Sequence, residues 1–258
     1  MLKVLQVILI VGFVVFSSET TFAEIVNLED AINKAGRQRM LTQRMLKSYS
    51  MIGLDVKADE AKKHLDTAIA EFDAQLAELI RYSPNAQIKQ KLQHVASLWR
   101  SVRVMMTEPV KQSSAETLLQ KNDALLRVMN QAVKQLEQLS TSPHGRLVNI
   151  AGRQRMLSQR LAKFYMLRAW GINNAMIRDE EAIAEAAFRK AMGELMAAKE
   201  NTAAINKVLK KAKMEWDLMK YGLDKEGENY VPLIVAMTSE KLLKTMEQAT
   251  TMYSELSR

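Results

Sequence analysis

Twelve residues occur twice in this chain almost unchanged, and that repeat limits the possible folds more than any other feature. Asn33-Lys-Ala-Gly-Arg-Gln-Arg-Met-Leu-Thr-Gln-Arg44 returns as Asn149-Ile-Ala-Gly-Arg-Gln-Arg-Met-Leu-Ser-Gln-Arg160, 116 positions later. The correspondence continues more weakly through Lys47 and Lys163, Tyr49 and Tyr165, Phe72 and Phe188, and Glu78-Leu79 and Glu194-Leu195. Trp99 and Trp216 correspond at an offset of 117. A period of this length calls for one architecture used twice, each copy about the size of a four-helix bundle.

The periodicity within each half is helical. Leu65, Ile69, Phe72, Leu76 and Leu79 recur at three- and four-residue spacing, and no stretch alternates as a strand does. The four prolines, Pro84, Pro109, Pro143 and Pro232, fall in predicted loops or first turns, where a missing N–H is harmless. The pattern predicts an all-α chain of eight helices: 28–52, 57–81, 86–106, 115–139, 143–170, 177–198, 203–221 and 231–256. They divide into two tandem antiparallel four-helix up-down bundles, over 24–140 and 141–258. Asn27 and Ser142 are the expected N-caps, and Gly53 and Gly171 the expected C-terminal stops. The join Ser140-Thr-Ser-Pro-His144 is short. It links the end of one fourth helix to the next first helix, so the bundles are expected to stand side by side with their first helices able to meet.

The N-terminus reads as a signal peptide over residues 1–23. Lys3 precedes an apolar run from Val4 to Phe16, and Thr21-Phe22-Ala23 offers a small-x-small cleavage site before Glu24. The run is short for a membrane span, which takes about 20 residues; an uncleaved anchor is the alternative. The expected location is therefore the periplasm, with no membrane insertion after cleavage. Export makes nucleic acid a poor partner despite a formal net charge of +8. With no cysteine, the exported chain must be held by its core.

The repeated segment carries the candidate chemistry. At about 100° per residue, Asn33, Gly36, Arg39, Met40, Gln43 and Arg44 share roughly a third of the helix circumference. Asn149, Gly152, Arg155, Met156, Gln159 and Arg160 do the same. Glycine inside a helix costs about 1 kcal/mol relative to alanine, so Gly36 and Gly152 suggest close approach by a backbone or a ligand. Arginine presents a planar fork of donors suited to carboxylates and oxyanions. If the first helices face each other, Arg39 and Arg155 meet near a pseudo-two-fold axis and repel unless an anion lies between them. Gly36, Arg39, Met40, Gln43, Gly152, Arg155, Met156 and Gln159 are the expected binding residues. Asn33, Arg44, Asn149 and Arg160 are expected to support them. Arg37 and Arg153 lie at the edge of the face and read as surface or salt-bridge residues. The competing reading pairs the arginines with Glu or Asp on neighbouring helices.

At these residues the sequence resembles the periplasmic sensor domain of the NarX/NarQ nitrate/nitrite sensor kinases and the related PilJ-type N-terminal domains. Their shared element, the P-box, reads approximately I-N-x-A-G-x-x-R-M-x-S-x-R on the first helix of a four-helix bundle. Ile32 to Arg44 matches it with Thr42 at the serine position, and Val148 to Arg160 matches it again with Ser158 there. The resemblance implies a nitrate held at a dimer interface by one arginine from each subunit, corresponding to Arg39 and Arg155. Two boxes in one chain look like a covalently fused version of that dimer. The sequence to Arg258 shows no kinase or methyl-accepting region, so signalling is expected to pass through another protein.

The expected function is thus a periplasmic sensory protein binding a small anion such as nitrate or nitrite. Its partner would be a membrane sensor kinase, chemoreceptor or transporter. The alternative is a helical scaffold whose arginine faces dock an acidic protein. Arginines that serve a docked protein should be exposed, and those that serve a small anion should be buried between the bundles. No catalytic constellation and no cofactor motif is evident. His64, His94 and His144 lack metal-ligand spacing, and the methionines, Met105, Met106, Met214 and Met219 among them, read as core filler. Trp99 and Trp216 read as packing anchors.

Overall fold

A computed structural model of the chain describes residues 24–140 and 143–256. The signal-peptide reading of residues 1–23 and the Ser142 cap lie outside the described residues. Among those described, the chain is all-α: α1 (Leu28–Gly53), α2 (Ala58–Tyr82), α3 (Ala86–Thr107), α4 (Gln112–Leu139), α5 (Pro143–Ala169), α6 (Ala175–Met196), α7 (Ala203–Leu223) and α8 (Pro232–Glu255). A short 3-10 turn over Gly227–Asn229, not anticipated from the sequence, precedes α8.

Local chemistry explains where these helices start. Asn27 accepts a hydrogen bond from the Asp30 amide at 2.8 Å, as its position suggested. Asn85, Asn174 and Thr202 cap α3, α6 and α7 in the same way, through the amides of Ile88, Ile177 and Ile205. Gly171, at φ +86°, stands just beyond α5 in the left-handed region that glycine tolerates. Gly53 does end α1, but packing constrains it more. A Cβ there would lie 2.0 Å from Trp170 Cζ2, so the glycine admits the indole against the helix backbone.

Two four-helix bundles result. In the first, α1 packs on α2 and α4, and α3 on α4; in the second, α5 packs on α6 and α8, and α7 on α8. The most extensive contact of all joins α1 to α5, so the bundles stand side by side through their first helices. The two helices run parallel. Arg39 reaches Asn149 and Arg155 reaches Asn33 toward one end, while the Tyr49 and Trp170 rings meet at the other, with centroids 6.2 Å apart.

Matched sequence positions make matched contacts. Phe72 packs on Trp99 with centroids at 4.4 Å, and Phe188 on Trp216 at 4.2 Å, the anchoring role expected of both tryptophans. The Tyr49 hydroxyl accepts from the Lys111 amide, and the Tyr165 hydroxyl from the Val231 amide, each fixing the approach to the last helix of its bundle. With neighbours on three sides, α1 and α5 bury polar residues as well as apolar ones. Gln38, Gln43, Lys47, Gln154, Gln159 and Lys163 are all fully inaccessible. Each such group needs a partner inside the protein. Among the described residues, no helix is long and apolar enough to cross a membrane.

Candidate functional site

The α1–α5 seam brings the two repeated segments together. A Cβ at Gly36 would sit 3.5 Å from the Nη2 atoms of both Arg39 and Arg155, and one at Gly152 would sit 3.1 Å from Arg155 Nη2. A methyl group at Gly152 would press on the Arg155 guanidinium tip, whereas one at Gly36 would make ordinary contact with both arginines. The hydrogen bonds cross between copies: Arg39 Nη2 donates to Asn149 Oδ1 at 2.8 Å, and Arg155 Nη2 donates to Asn33 Oδ1 at 2.7 Å. Thr42 and Ser158 turn their hydroxyls back onto the carbonyls of Arg39 and Arg155, one helical turn earlier. Both arginines are enclosed, Arg155 fully and Arg39 with 5% of its surface exposed.

Their electrostatic surroundings differ. Arg155 Nη1 donates to Glu247 Oε2 on α8 at 2.6 Å, and the other oxygen of that carboxylate accepts from Arg37 Nη1 at 2.7 Å. Arg37 is further paired with Glu71 on α2. Burial would raise the Glu247 carboxyl, but the Arg155 and Arg37 charges outweigh it and hold it below the usual carboxylate range. Here the arginine-to-glutamate reading weighed above holds.

Arg39 has no carboxylate at ion-pair distance among the described residues. Its Nη1 donates to Asn130 Oδ1 on α4 at 3.2 Å, and its Nε, like that of Arg155, is buried without an acceptor. Burial lowers its pKa from 12.5 to about 10; Glu137 opposes the shift, and Arg153 and Arg155 add to it. The hydrogen-bond partners of this buried cation are thus neutral, with Glu137 acting on it only from beyond ion-pair distance, an arrangement that favours any anion able to reach it.

Such an anion has space. Arg39 opens onto a cavity of about 240 Å³ bounded by α1, α4, α5 and α6. Asn130, Asn149, Arg153 and Met156 line it, and Arg160, paired with Glu180 at 2.6 Å, stands at its side. Lys134 and Glu137 on α4 also face it. Burial pushes the Glu137 carboxyl up, against the pull of Arg39 and Lys134.

The expected binding and supporting residues therefore divide. Gly36, Arg39, Gly152, Arg155, Asn33 and Asn149 meet at the seam, and Met156 lines the cavity. Met40, Gln43 and Gln159 depart from the expected grouping. Met40 is buried and does not line the cavity, Gln43 donates to Asn122 on α4, and Gln159 donates to the Ser239 carbonyl on α8. A face spanning a third of a helix is wide enough to meet two neighbouring helices, so Gln43 and Gln159 turn into their own bundles. Arg44 is held by Glu240 at 2.6 Å rather than supporting an anion. Arg160 is shared between Glu180 and Asp123, with Nη2 3.9 Å from Asp123 Oδ1.

Sequence reasoning missed the acidic partners. Glu240 on α8 binds Arg44 and the fully buried Lys47 of α1; Asp123 on α4 binds Arg160 and the fully buried Lys163 of α5. Each carboxylate ties one bundle to the first helix of the other. The recurrence of Lys47 and Lys163 in both halves was the available signal, since a buried lysine needs an internal counter-charge. Among the described residues, no group of three metal-ligating side chains comes together.

Comparison with known families adds one finding. Residues 21–128 match the family model for the N-terminal region of type IV pili methyl-accepting chemotaxis transducers, PilJ. That span holds the first repeated segment, α1 to α3 and most of α4. Neither the curated proteins nor the solved structures contain a significant match to the chain.

Proposed function

We propose that this protein is a periplasmic, non-enzymatic sensory unit that binds a small anion of the nitrate or nitrite type between its bundles and signals through a membrane partner. The observation that carries this reading is Arg39: a buried guanidinium without a carboxylate partner, opening onto a cavity at the seam between the bundles. The likeness of residues 21–128 to a chemotaxis transducer domain supports a sensory role exercised through a chemoreceptor-like partner. In this reading, residues 1–23 are an export signal, and 24–140 and 141–258 are two copies of one P-box domain. The scaffold alternative requires exposed arginine faces; the burial of Arg39 and Arg155 favours the small ligand.

An anion beside Arg39 adds negative charge where α1 and α5 meet and relieves the repulsion between their guanidinium groups. It therefore favours tighter packing of the seam, and a small slide or rotation of one bundle on the other is the natural readout for a partner. Calorimetric and thermal-shift titration of the purified protein with nitrate, nitrite, chloride and sulfate tests this. A ligand confined to the folded state stabilises it by about 2.7 kcal/mol at a hundredfold excess over Kd. The expected result is a selective shift with nitrate or nitrite that Arg39→Ala removes. No shift with any anion would overturn the proposal and return attention to a protein ligand.

A further inference from the structure

The two halves of the seam differ in the carboxylates that face their arginines. Three pairs of contacts fix the register between α4 and α8: Gln43 to Asn122 against Gln159 to Ser239, Lys47 to Glu240 against Lys163 to Asp123, and likewise Arg44 to Glu240 against Arg160 to Asp123. In that register Asn130 occupies the position of Glu247. Gln38 and Gln154, which donate to the carbonyls of Phe72 and Phe188, fix α2 against α6, and there Ala187 occupies the position of Glu71. So the two carboxylates that hold Arg37, one of which also holds Arg155, have as counterparts an amide and a methyl group around Arg153 and Arg39. Asn130, Ala187, Arg39 and Arg153 all line the cavity.

We infer that the chain binds one small planar oxyanion, off the pseudo-two-fold axis, bridging Arg39 and Arg153 as the Glu247 carboxylate bridges Arg155 and Arg37. This rests on the anion-binding reading above and adds the place, the stoichiometry and a second ligand-binding residue. Glu247 shows the chemistry its counterpart site takes: a single negative charge on two oxygens, one turned to each arginine. Nitrate, nitrite, formate and acetate have that form; chloride has no pair of oxygens and sulfate carries a second charge. Glu247 is in effect a tethered ligand, so the half of the seam it fills does not compete for the free anion. Arg153 is exposed while Arg39 is buried, so the former offers an approach from solvent and the latter a dry anchor. Glu137 and Glu180 face the same cavity. Glu180 is engaged by Arg160, and Lys134 stands beside Glu137 on α4.

Calorimetric titration with nitrate, repeated with formate and sulfate, tests the inference on five proteins. The wild type is expected to bind one nitrate per chain, with formate as an alternative ligand and sulfate excluded. Asn130→Glu supplies the missing carboxylate and should weaken nitrate binding by about 100-fold or more, as a tethered competitor does, while raising the melting temperature. Arg153→Ala, on an exposed side chain, should weaken binding at least about tenfold with the fold intact. Glu247→Asn combined with Glu71→Ala should open the second half and take the stoichiometry to two. Should that variant fail to fold, Asn130→Glu decides alone, because it adds a counter-charge beside an unpaired arginine. Nitrate binding unchanged in both Asn130→Glu and Arg153→Ala, yet lost in Arg39→Ala, would overturn this inference and leave an axial anion site standing. No binding by the wild type would overturn the functional proposal itself.

Discussion

Arg39→Met is expected to leave the melting temperature of the ligand-free protein nearly unchanged, and Arg155→Met to lower it. The two residues occupy matching places in a repeated segment, so a difference can come only from what surrounds them. Methionine keeps most of the side-chain volume and removes the charge. At Arg39 the fall from 12.5 to about 10 corresponds to roughly 3 kcal/mol weighing against the charged form in the folded state. Its removal loses two hydrogen bonds from a charged donor, to Asn130 and Asn149, about 1.5 kcal/mol each. The two effects nearly cancel. At Arg155 the change strips Glu247 of one of its two cations. The loss is discounted to about 2 kcal/mol from the full cost of breaking a buried pair, because Arg37 remains and a third of Glu247 is exposed. Thermal denaturation should therefore separate the variants by about 4–8 °C in a chain of this size. Equal destabilisation by both substitutions would contradict the asymmetry on which the site rests.

Glu240→Gln is expected to be the most damaging single change outside the apolar core. Glu240 is the counter-charge for Lys47, which has no exposed surface, and for Arg44. Glutamine leaves that ammonium with the Ser239 hydroxyl at 3.4 Å and no anion. Breaking a buried pair from one side costs about 3 kcal/mol or more, which corresponds to a fall of roughly 10 °C. Because the pair joins α1 of one bundle to α8 of the other, the loss should loosen the seam as well. Acid denaturation supplies an independent readout. Burial would raise the Glu240 carboxyl, but Lys47 and Arg44 hold it at about 2, against 4.5 ordinarily. Its folded-state pKa is depressed, so its contribution is complete above about pH 4.5 and is lost as the pH falls toward 2. The variant should lack that part of the acid limb. A wild-type acid profile in Glu240→Gln would show that the pair contributes nothing.

Much of the framework was legible in the sequence because it depends on local chemistry. Asn27 caps α1 where a helix-starting asparagine was expected, and Trp99 and Trp216 anchor their bundles as large aromatics at matched positions suggest. The meeting of α1 and α5 followed from a short join and from a glycine-bearing polar face that no apolar core would accept. Gly53 was legible only in part. It terminates α1, but its close approach to Trp170 depends on residues far apart in the chain. The charge balance of the site was not legible at all. Arg39 and Arg155 sit in near-identical segments, and only the register of α4 and α8 reveals that one faces Asn130 and the other Glu247. Periodicity placed Gln43 and Gln159 with the arginines, yet a helix with three neighbours divides one face between two of them.

The central claim, that Arg39 anchors an anion, is tested most directly by following arginine side-chain Nε–H resonances in 15N-labelled protein during a nitrate titration, with Arg→Lys variants for assignment. Arg39 and Arg153 are expected to shift together along one saturation curve, the Arg39 Nε–H most strongly, while Arg37 and Arg155 stay near their starting positions. An Arg39 resonance that does not move at saturating nitrate would contradict the account.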